Sequence, residues 1–220
     1  MNHLPFSIVG FDLDGTLLDT SRDLGAAVNH TLSLLGRPPV PDEAVSGLIG
    51  GGSRLMLRRA LALTGGDEGV DPEALYPALL EFYEANIANH TALYPGGAAM
   101  LDALEDAGAQ LALVTNKPQY LADKLLRELG LHHRFGVVIG GGGGYPLKPQ
   151  PDALHAMVDK LGGGRAAYVG DTTFDTRAAR AAGLPCVAVS FGFTDAPLTE
   201  LGADAVIDHF DQLRPALNRL

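Results

Sequence analysis

Residues 8–18 read IVGFDLDGTLL, and this stretch decides how the chain is interpreted. An apolar run typical of a buried strand ends in two carboxylates, Asp12 and Asp14, which a glycine and a hydroxyl follow at once. Removing a carboxylate from water is costly unless a cation or a hydrogen-bond donor compensates for the lost hydration. The pair of acids at a strand end therefore indicates a functional site rather than an ordinary Asp-Gly turn.

The composition limits the classes of partner. The 220 residues are enough for one large or two small domains, and a hydrophobic content of 46% supports a substantial core. A formal net charge of -10 disfavours nucleic acid and anionic membranes, since both require a basic surface. A small anionic substrate is compatible with this charge if a bound cation reverses the local sign. We therefore expect a small-molecule substrate and no nucleic-acid or membrane partner.

The cysteine content and the absence of targeting patterns bear on localisation. Cys186 is the single cysteine of the sequence, so an internal disulfide is excluded and a reducing compartment fits. It lies in an apolar run, where we expect an inert buried side chain. Neither a signal-peptide pattern nor an 18-residue apolar stretch is present in the sequence. We expect a cytoplasmic protein that is a monomer or a small homo-oligomer.

Short apolar runs alternate with helical patterns along most of the chain. The predicted strands cover residues 6–11, 110–115, 135–139, 166–169, 186–189 and 205–207. The predicted helices between them cover residues 98–107, 120–129, 151–161 and 176–182. This alternation is typical of a parallel sheet that is covered by helices on both faces, and the nearly continuous apolar strands agree with such burial. The predicted fold class is therefore α/β.

The segment from Thr20 to Asn89 breaks the alternation, because its apolar residues recur only at helical spacing. About 70 residues of helix are too many for a simple crossover between strands, so we expect a helical subdomain. Thr20 and Asp23 resemble a capping box at its first helix, and a Tyr-Pro-Gly-Gly turn at residues 94–97 marks the return. The predicted division is a core of residues 1–17 and 91–220 with a helical domain of residues 18–90.

Polar residues follow four of the predicted strands, at the end where open parallel sheets bind ligands. In chain order they are Asp12, Asp14, Thr115, Asn116, Lys148, Asp171 and Asp175. Each has an ordinary explanation when taken alone, such as a turn residue, a solvated loop lysine or a helix cap. Their placement at one edge of a sheet is what predicts an active site. The glycine-rich residues 140–144 fit either a plain linker or a mobile edge of that site.

Phosphoryl transfer is the chemistry that this set of side chains suits. A carboxylate can act as a nucleophile and form an aspartyl-phosphate, and Mg²⁺ prefers a few oxygen ligands together with substrate phosphate. Asp12 and Asp171 would supply carboxylate oxygens and Asp14 its backbone carbonyl. Thr115 and Lys148 would hold the phosphoryl oxygens. The Asp14 carboxyl would protonate the leaving oxygen and then activate water.

Four segments, in order, resemble the four motifs of the haloacid dehalogenase (HAD) superfamily, and the resemblance covers essentially the full chain. The segments are Asp12–Thr16, Val114–Asn116, Lys148–Pro149 and Gly170–Asp175. The fourth reads Gly-Asp-Thr-Thr-Phe-Asp, a mild departure that keeps the four-residue spacing of its two acids.

The resemblance to this superfamily implies a fold and a set of roles. The fold would be a Rossmann-like three-layer core with an inserted helical type-1 cap, and Mg²⁺ would be essential. Asp12 would be the nucleophile and Asp14 the general acid/base. Asp12, the Asp14 carbonyl and Asp171 would bind the metal, with Asp175 adjusting its surroundings. Asn116 would join Thr115 and Lys148 in binding phosphate.

Longer strings resemble those of phosphoglycolate phosphatases within the superfamily. They are residues 11–20 (FDLDGTLLDT), 48–52 (LIGGG), 115–118 (TNKP) and 148–151 (KPQP). This resemblance implies hydrolysis of 2-phosphoglycolate to glycolate and phosphate. Gly51, Gly52, Ser53 and Arg54 are candidate specificity residues, because backbone N–H groups at a helix start and an arginine both bind anions. Arg54 is equally well explained as a solvated helix residue.

Several other activities fit the same motifs. Phosphatases for pyrophosphate or for sugar phosphates such as N-acetylmuramic acid 6-phosphate are alternatives, as is a β-phosphoglucomutase-like phosphomutase. A receiver module of a response regulator also uses an Asp, a Thr and a Lys on a parallel sheet. Asp14 would promote hydrolysis of the phosphoryl group that a receiver must keep, and the helical insert has no use there. A dehalogenase is disfavoured by the predicted metal and phosphate residues.

Overall fold

The computed structural model of the protein describes residues 4–220, so the first three residues of the predicted core lie outside the described residues. Helices and strands alternate along this range, apart from one block of consecutive helices. In chain order the elements are β1 (Ile8–Phe11), β2 (Leu18–Asp19), α1 (Ser21–Ser33), α2 (Asp42–Val45), α3 (Ser53–Leu63), α4 (Pro72–Ala85), β3 (Ala92–Leu93), α5 (Gly97–Asp106), β4 (Gln110–Pro118), α6 (Gln119–Glu128), β5 (Phe135–Gly141), α7 (Asp152–Lys160), β6 (Ala166–Gly170), α8 (Thr173–Ala181), β7 (Cys186–Val189), β8 (Ala205–Ile207) and α9 (Leu213–Leu217).

Six strands form one parallel sheet in the order β5-β4-β1-β6-β7-β8. Strand β1 is central, with Ile8 opposite Gln110 of β4 on one side and opposite Ala166 of β6 on the other. All four residues of β1 are buried, because the strand has neighbours on both sides and helices on both faces. The structure therefore confirms the predicted α/β parallel sheet.

The core has three layers, since successive side chains of a strand point to opposite faces of the sheet. Val9 and Val169 belong to the apolar cluster that contains α5, α6 and α9. Ile8 and Tyr168 belong to the cluster on the other face, which contains α7 and α8. Within residues 4–220 no helix is long and apolar enough to cross a membrane.

Helices α1–α4 follow one another without a strand, as the helical periodicity of this segment predicts. Strands β2 and β3 flank the segment and pair antiparallel, with Leu18 opposite Leu93 and Asp19 opposite Ala92. The two chain connections of the helical segment therefore run side by side. The buried apolar residues of α1, α3 and α4 join the cluster on the α5–α6 face of the sheet. The division into a core and a cap at residues 17/18 and 90/91 stays a prediction.

The predicted capping box of Thr20 and Asp23 is wrong. The Thr20 hydroxyl has no hydrogen-bond partner among the described residues. Asp23 Oδ2 instead accepts hydrogen bonds from the backbone N–H of His90 (3.0 Å) and of Thr91 (2.9 Å), and from Thr91 Oγ1 (2.7 Å). A carboxylate that receives three donors from the far end of the segment is not available to cap its own helix.

Element boundaries differ from the predictions by a few residues. Strand β1 begins at Ile8 rather than at residue 6, and β4 continues to Pro118. Helix α8 begins at Thr173 rather than at residue 176. The glycine-rich segment starts inside β5, which ends at Gly141. The extension of β4 matters most, because it adds residues 116–118 to the strand and so brings Lys117 to the edge of the sheet where the predicted site lies.

Candidate active site

The candidate site lies at the carboxyl ends of β1, β4 and β6, the three central strands of the sheet. Asp12 directly follows β1, and Asp171 directly follows β6. Thr115 and Asn116 belong to the last part of β4, while Lys148 comes from the loop before α7. The parallel arrangement thus brings residues that are far apart in the chain to one edge, as the sequence pattern predicts.

Three buried carboxylates form the centre of the site. One oxygen each of Asp12, Asp171 and Asp175 lies within 4.8 Å of the other two. Burial raises the pKa of Asp12 from 3.8 to about 6, although Lys148 opposes the shift. Burial, followed by the charges of Asp175 and Asp12, also raises the pKa of Asp171 well above its ordinary value. Carboxylates in this arrangement repel one another unless a proton or a cation is shared between them.

The acidic cluster fits a hard divalent cation. Its donors are all carboxylate oxygens, the ligand type that Mg²⁺ prefers. Asp12 Oδ1 is buried and receives no hydrogen bond from the described residues, although Lys148 Nζ lies 2.8 Å from it. This agrees with the predicted metal roles of Asp12 and Asp171 and places Asp175 directly beside them.

Asp171 is oriented by the turn that follows Asp14. Thr16 Oγ1 donates to Asp171 Oδ1 at 2.9 Å, and the backbone N–H of Phe193 donates to Oδ2 at 2.7 Å. Gly15 has a φ of +85°, and a Cβ at this position would lie 2.3 Å from Asp171 Oδ2. The Asp-Gly-Thr sequence is therefore required for the contact between the first and fourth motifs.

Lys148 is buried against the acidic cluster. Its Nζ donates to Val114 O at 3.0 Å, to Tyr168 Oη at 2.9 Å and to Asp175 Oδ1 at 2.7 Å. These bonds use its three protons, so Asp12 Oδ1 at 2.8 Å is a charge contact outside hydrogen-bond geometry. Burial lowers the pKa of Lys148, but Asp12 and Asp175 raise it further, so the ammonium remains charged.

Asn116 holds the backbone of Lys148. Asn116 Oδ1 accepts from Lys148 N at 2.9 Å, and Asn116 Nδ2 donates to Lys148 O at 3.1 Å. The side chain that the resemblance assigns to phosphate is therefore engaged with the lysine loop. Its effect in this structure is to position Lys148.

Asp175 connects the metal cluster to helix α8. Its Oδ2 accepts from the backbone N–H of Asp171 (3.2 Å) and of Thr172 (3.0 Å) and from Thr172 Oγ1 (2.6 Å). Thr172 is the N-cap of α8 and Asp175 its third residue, so the carboxylate satisfies N–H groups at the helix start. One side chain thus orients the turn after β6 and, through Oδ1, also Lys148.

Asp14 faces a lysine that the sequence analysis did not assign. Lys117 Nζ donates to Asp14 Oδ1 at 2.9 Å and to Oδ2 at 3.2 Å, and it also donates to Tyr83 Oη at 2.7 Å. The backbone N–H of Lys117 donates to Thr115 Oγ1 at 3.2 Å. Lys117 and Thr115 are two residues apart on β4 and so lie on the same face of the strand.

A cavity separates these strand ends from the helical segment. Asp12, Asp14, Thr115 and Lys117 line its floor, and apolar residues of α1, α3 and α4 line its roof. Gly52 and Ser53 also line it, at the start of α3, as two of the four predicted specificity residues.

Arg54 and Gly51 are not among the residues that line this cavity. The Arg54 guanidinium pairs with Glu73 Oε2 at 3.0 Å and lies 3.9 Å from the centre of the Tyr76 ring, with 56% of the side chain exposed. Gly51 packs beside Leu55 and Phe174. The structure therefore does not bring the Arg54 side chain to a phosphate ester in the cavity.

A family model for the haloacid dehalogenase-like hydrolases matches residues 9–189, which include all four motif segments. The chain belongs to this family. Membership confirms the predicted superfamily. Together with the relatives described next, it identifies this HAD-like hydrolase as a phosphatase rather than a receiver module.

Relatives of this HAD-like hydrolase cover nearly its whole length. It is 41% identical over 210 residues to "Phosphoglycolate phosphatase" of Agrobacterium fabrum, covering 94% of this chain and 90% of the relative. The protein of the same name from Caulobacter vibrioides is 38% identical over 213 residues, which cover 96% of this chain and 90% of the relative. The crystal structure of a predicted phosphoglycolate phosphatase from Haemophilus somnus superimposes with a TM-score of 0.88 at 28% identity, covering 95% of this chain and 96% of that one.

Sequence reasoning missed several polar groups of the HAD-like site. They are Thr16, Tyr83, Lys117, Tyr168 and the backbone N–H of Phe193. Lys117 carried a usable signal, because it stands two residues after Thr115 in the same strand. Tyr83 and Tyr168 carried none, since each fits the apolar pattern of its own helix or strand.

Proposed function

We propose that this HAD-like phosphatase hydrolyses 2-phosphoglycolate to glycolate and phosphate. The observation that carries the reaction type is the buried cluster of Asp12, Asp171 and Asp175 beside a charged Lys148, with Asp12 also lining the cavity under the helical segment. The choice of substrate is supported by the named relatives, at 38–41% identity over more than nine-tenths of the chain.

The proposed reaction has two displacements at phosphorus. In the first, an oxygen of Asp12 forms a bond to phosphorus while the bond to the glycolate oxygen breaks, and the Asp14 carboxyl donates its proton to that oxygen. In the second, Asp14 accepts a proton from water as the water oxygen attacks the aspartyl-phosphate. Phosphate leaves, Asp12 is regenerated as a carboxylate, and Asp14 is protonated again.

The remaining residues bind and orient the phosphoryl group. Lys148 and Thr115 stabilise the charge on its equatorial oxygens, and Asn116 keeps Lys148 in place. Asp12, Asp171 and the Asp14 carbonyl would hold Mg²⁺, with Asp175 beside them. A bound Mg²⁺ supplies positive charge that offsets the repulsion between the anionic nucleophile and the anionic phosphate.

We further propose that residues 18–90 form a cap that closes over the substrate and excludes water. The backbone at Gly52 and Ser53 would then approach the glycolate carboxylate at the start of α3. Arg54 would contribute only if α3 turned its exposed side chain inward. We expect the enzyme to work in the cytoplasm as a monomer or a small homo-oligomer.

A phosphate-release screen in the presence of Mg²⁺ tests the substrate. It would rank phosphoglycolate, hexose phosphates, N-acetylmuramic acid 6-phosphate, nucleotides and pyrophosphate by kcat/KM. We expect phosphoglycolate to exceed the next substrate by about 10-fold or more, since a site built for a carboxylate next to the phosphate loses binding energy with esters that lack one or, like N-acetylmuramic acid 6-phosphate, carry it farther away. A higher kcat/KM for any other ester would overturn the substrate assignment. Isomerisation of a hexose phosphate without net phosphate release would favour the phosphomutase.

A further inference from the structure

Lys117 joins the catalytic edge of the sheet to the helical segment. Its side chain is only 3% exposed, and its Nζ contacts Asp14 on the core side and the Tyr83 hydroxyl of α4 on the other. The ammonium also lies 4.4 Å from the centre of the Tyr83 ring. Asp14 follows β1, Lys117 is the last residue but one of β4 and Tyr83 belongs to the helical segment, so three separate parts of the chain meet here.

The protons of Lys117 are all in use. An ammonium has three donors, and the two Asp14 oxygens and the Tyr83 hydroxyl accept them. Burial lowers the pKa of Lys117, but Asp14 and Tyr83 raise it above its ordinary value, so the side chain remains protonated. Burial raises the pKa of Tyr83 to about 12, so its phenol remains neutral. None of these three donors is left for a substrate carboxylate while the contacts hold.

Two fixed contacts to one carboxylate restrict its rotation. Asp14 is the group that must face the leaving oxygen and then the water, and a general acid must lie within hydrogen-bond reach of the atom it protonates. The second anchor, Tyr83, is supplied by the segment that would close over the substrate. The Lys117–Tyr83 bond therefore exists only when α4 lies against the core as it does in this structure.

We propose that Lys117 is a positioning residue that holds the Asp14 carboxylate in its proton-transfer orientation, and that Tyr83 makes this orientation depend on the docking of α4. The inference rests on the proposed function, because Asp14 acts as acid and base only in the two-displacement reaction. It predicts a dependence on the leaving group. An alkyl oxygen needs a proton as it leaves, whereas p-nitrophenolate is stable enough to leave without one.

Single-turnover kinetics of Lys117→Met with three esters test the proposal. Phosphoglycolate and ethyl phosphate both release an alkyl oxygen, but only the first has a carboxylate; p-nitrophenyl phosphate is the ester with the good leaving group. We expect the rate of alcohol release to fall about 100-fold for both alkyl esters, and less than about 10-fold for p-nitrophenyl phosphate. KM should stay within about 3-fold for all three, because the contact is made to Asp14 rather than to substrate.

Tyr83→Phe provides a second, milder variant that keeps the packing of α4. It should show the same leaving-group pattern with a loss of about 3- to 10-fold, and the double variant should be no slower than Lys117→Met alone, since both changes act through one contact. Lys117→Arg should recover part of the alkyl-ester rate.

Exposed residues at the contact between the core and α4 serve as matched controls. Lys124 Nζ of α6 lies 3.7 Å from Glu84 Oε1 of α4, with 36% of the lysine side chain exposed. Tyr120, also on α6, is 48% exposed. Lys124→Met and Tyr120→Phe should keep the rates of the unchanged enzyme with all three esters, because exposed side chains of this kind contribute little.

Two results would overturn the proposal. Equal losses with all three esters would mean that Lys117 only supports the structure. A rise in KM confined to phosphoglycolate would mean that Lys117 binds the carboxylate of the substrate. If the screen shows that phosphoglycolate is not the substrate, ethyl and p-nitrophenyl phosphate still test Lys117. Failure of the substrate assignment and failure of this inference are thus distinguishable.

Discussion

Asp12 and Asp14 differ in how their charges are balanced. Asp12 shares Lys148 with Asp175, so Lys148 keeps a carboxylate at 2.7 Å even if Asp12 is neutralised. Asp14 is the one carboxylate within 4.0 Å of Lys117 Nζ among the described residues. Removing the single carboxylate partner of a buried lysine is far more costly than removing one of two carboxylates that share a lysine.

Replacing each acid by its amide should therefore separate activity from stability. Asp12→Asn should reduce turnover on the order of 10⁴-fold, since it removes the nucleophile. Its melting temperature without divalent cations should be unchanged or higher, because the pKa of Asp12 raised to about 6 shows that its charge is disfavoured in the fold. Asp14→Asn should melt several degrees lower, since it leaves Lys117 buried without its carboxylate. Scanning calorimetry with chelator present compares them, and a clearly lower melting temperature for Asp12→Asn would contradict this account.

For individual residues, the sequence predicts the site residues that directly follow strands. It misses those that other elements, such as α4, contribute to the site. Asp12, Thr115 and Asp171 were predictable because strand ends in a parallel sheet share one edge. Tyr83 was not, because its contact with Lys117 depends on how α4 docks against the sheet. Local periodicity describes which face of a helix is buried but carries no information on what that face meets.

Asp23 links the two connections of the helical segment, in addition to the β2–β3 pairing. It stands in the first turn of α1 and binds residues 90 and 91, just before β3. Strands β2 and β3 have two residues each, too few for a recognisable alternation, so the sequence pattern could not predict them. The long-range contact of Asp23 was unpredictable for the same reason, and it replaces the local cap that the residue types suggested.

Asp23→Ala should weaken the contact between the start of α1 and residues 90–91 and lower the stability of the protein. The variant loses three hydrogen bonds to a buried carboxylate and leaves two backbone N–H groups without an acceptor, which we expect to destabilise the protein by about 3 kcal/mol. Urea denaturation measures this change, and limited proteolysis near residues 90–91 should become faster.

Asp19 offers a matched control for the change at Asp23, because it is exposed and caps α1 locally. Its Oδ1 accepts from Ser21 N at 3.1 Å and from Ser21 Oγ at 2.6 Å. Asp19→Ala should cost about 1 kcal/mol or less. Equal losses of stability in the two variants would show that Asp23 does not tie the two connections together.

The whole molecule has a formal net charge of -10, and three of its carboxylates, Asp12, Asp171 and Asp175, are buried together. The fold class was predictable because alternating strands and helices leave few arrangements other than a covered parallel sheet. The strand order β5-β4-β1-β6-β7-β8 was not, since each strand pattern reports burial and says nothing about its neighbours.

The free energy of unfolding should depend both on pH and on Mg²⁺, because the two act on Asp12. The pKa of Asp12 lies near 6 in the fold against 3.8 when unperturbed, so between these values the folded state holds a proton that the unfolded chain has lost. The free energy of unfolding of the metal-free protein should therefore fall as pH rises through this window. Mg²⁺ competes with that proton, so it should stabilise the fold more at a pH of about 7.5 than at about 5. At a concentration about 100-fold above the Kd that applies at a pH of about 7.5, the stabilisation at that pH should be about 2–3 kcal/mol.

Melting curves with Mg²⁺ and with EDTA at both pH values measure this effect. Chelation should also abolish turnover, and added Mg²⁺ should restore it. An identical shift in melting temperature at the two pH values would contradict the assignment of Asp12 to the metal.

The β2–β3 pair has a consequence for how such enzymes diversify. Because entry and exit of the helical segment are neighbouring rungs of one short ladder, the intervening chain can be lengthened, shortened or exchanged without changing the register of the main sheet. Substrate specificity can then change through the helical segment while the catalytic residues at the strand ends stay the same. If Lys117 acts as proposed, an exchanged segment that offers no hydroxyl at the position of Tyr83 would lose part of the rate, which favours segments that can bind Lys117.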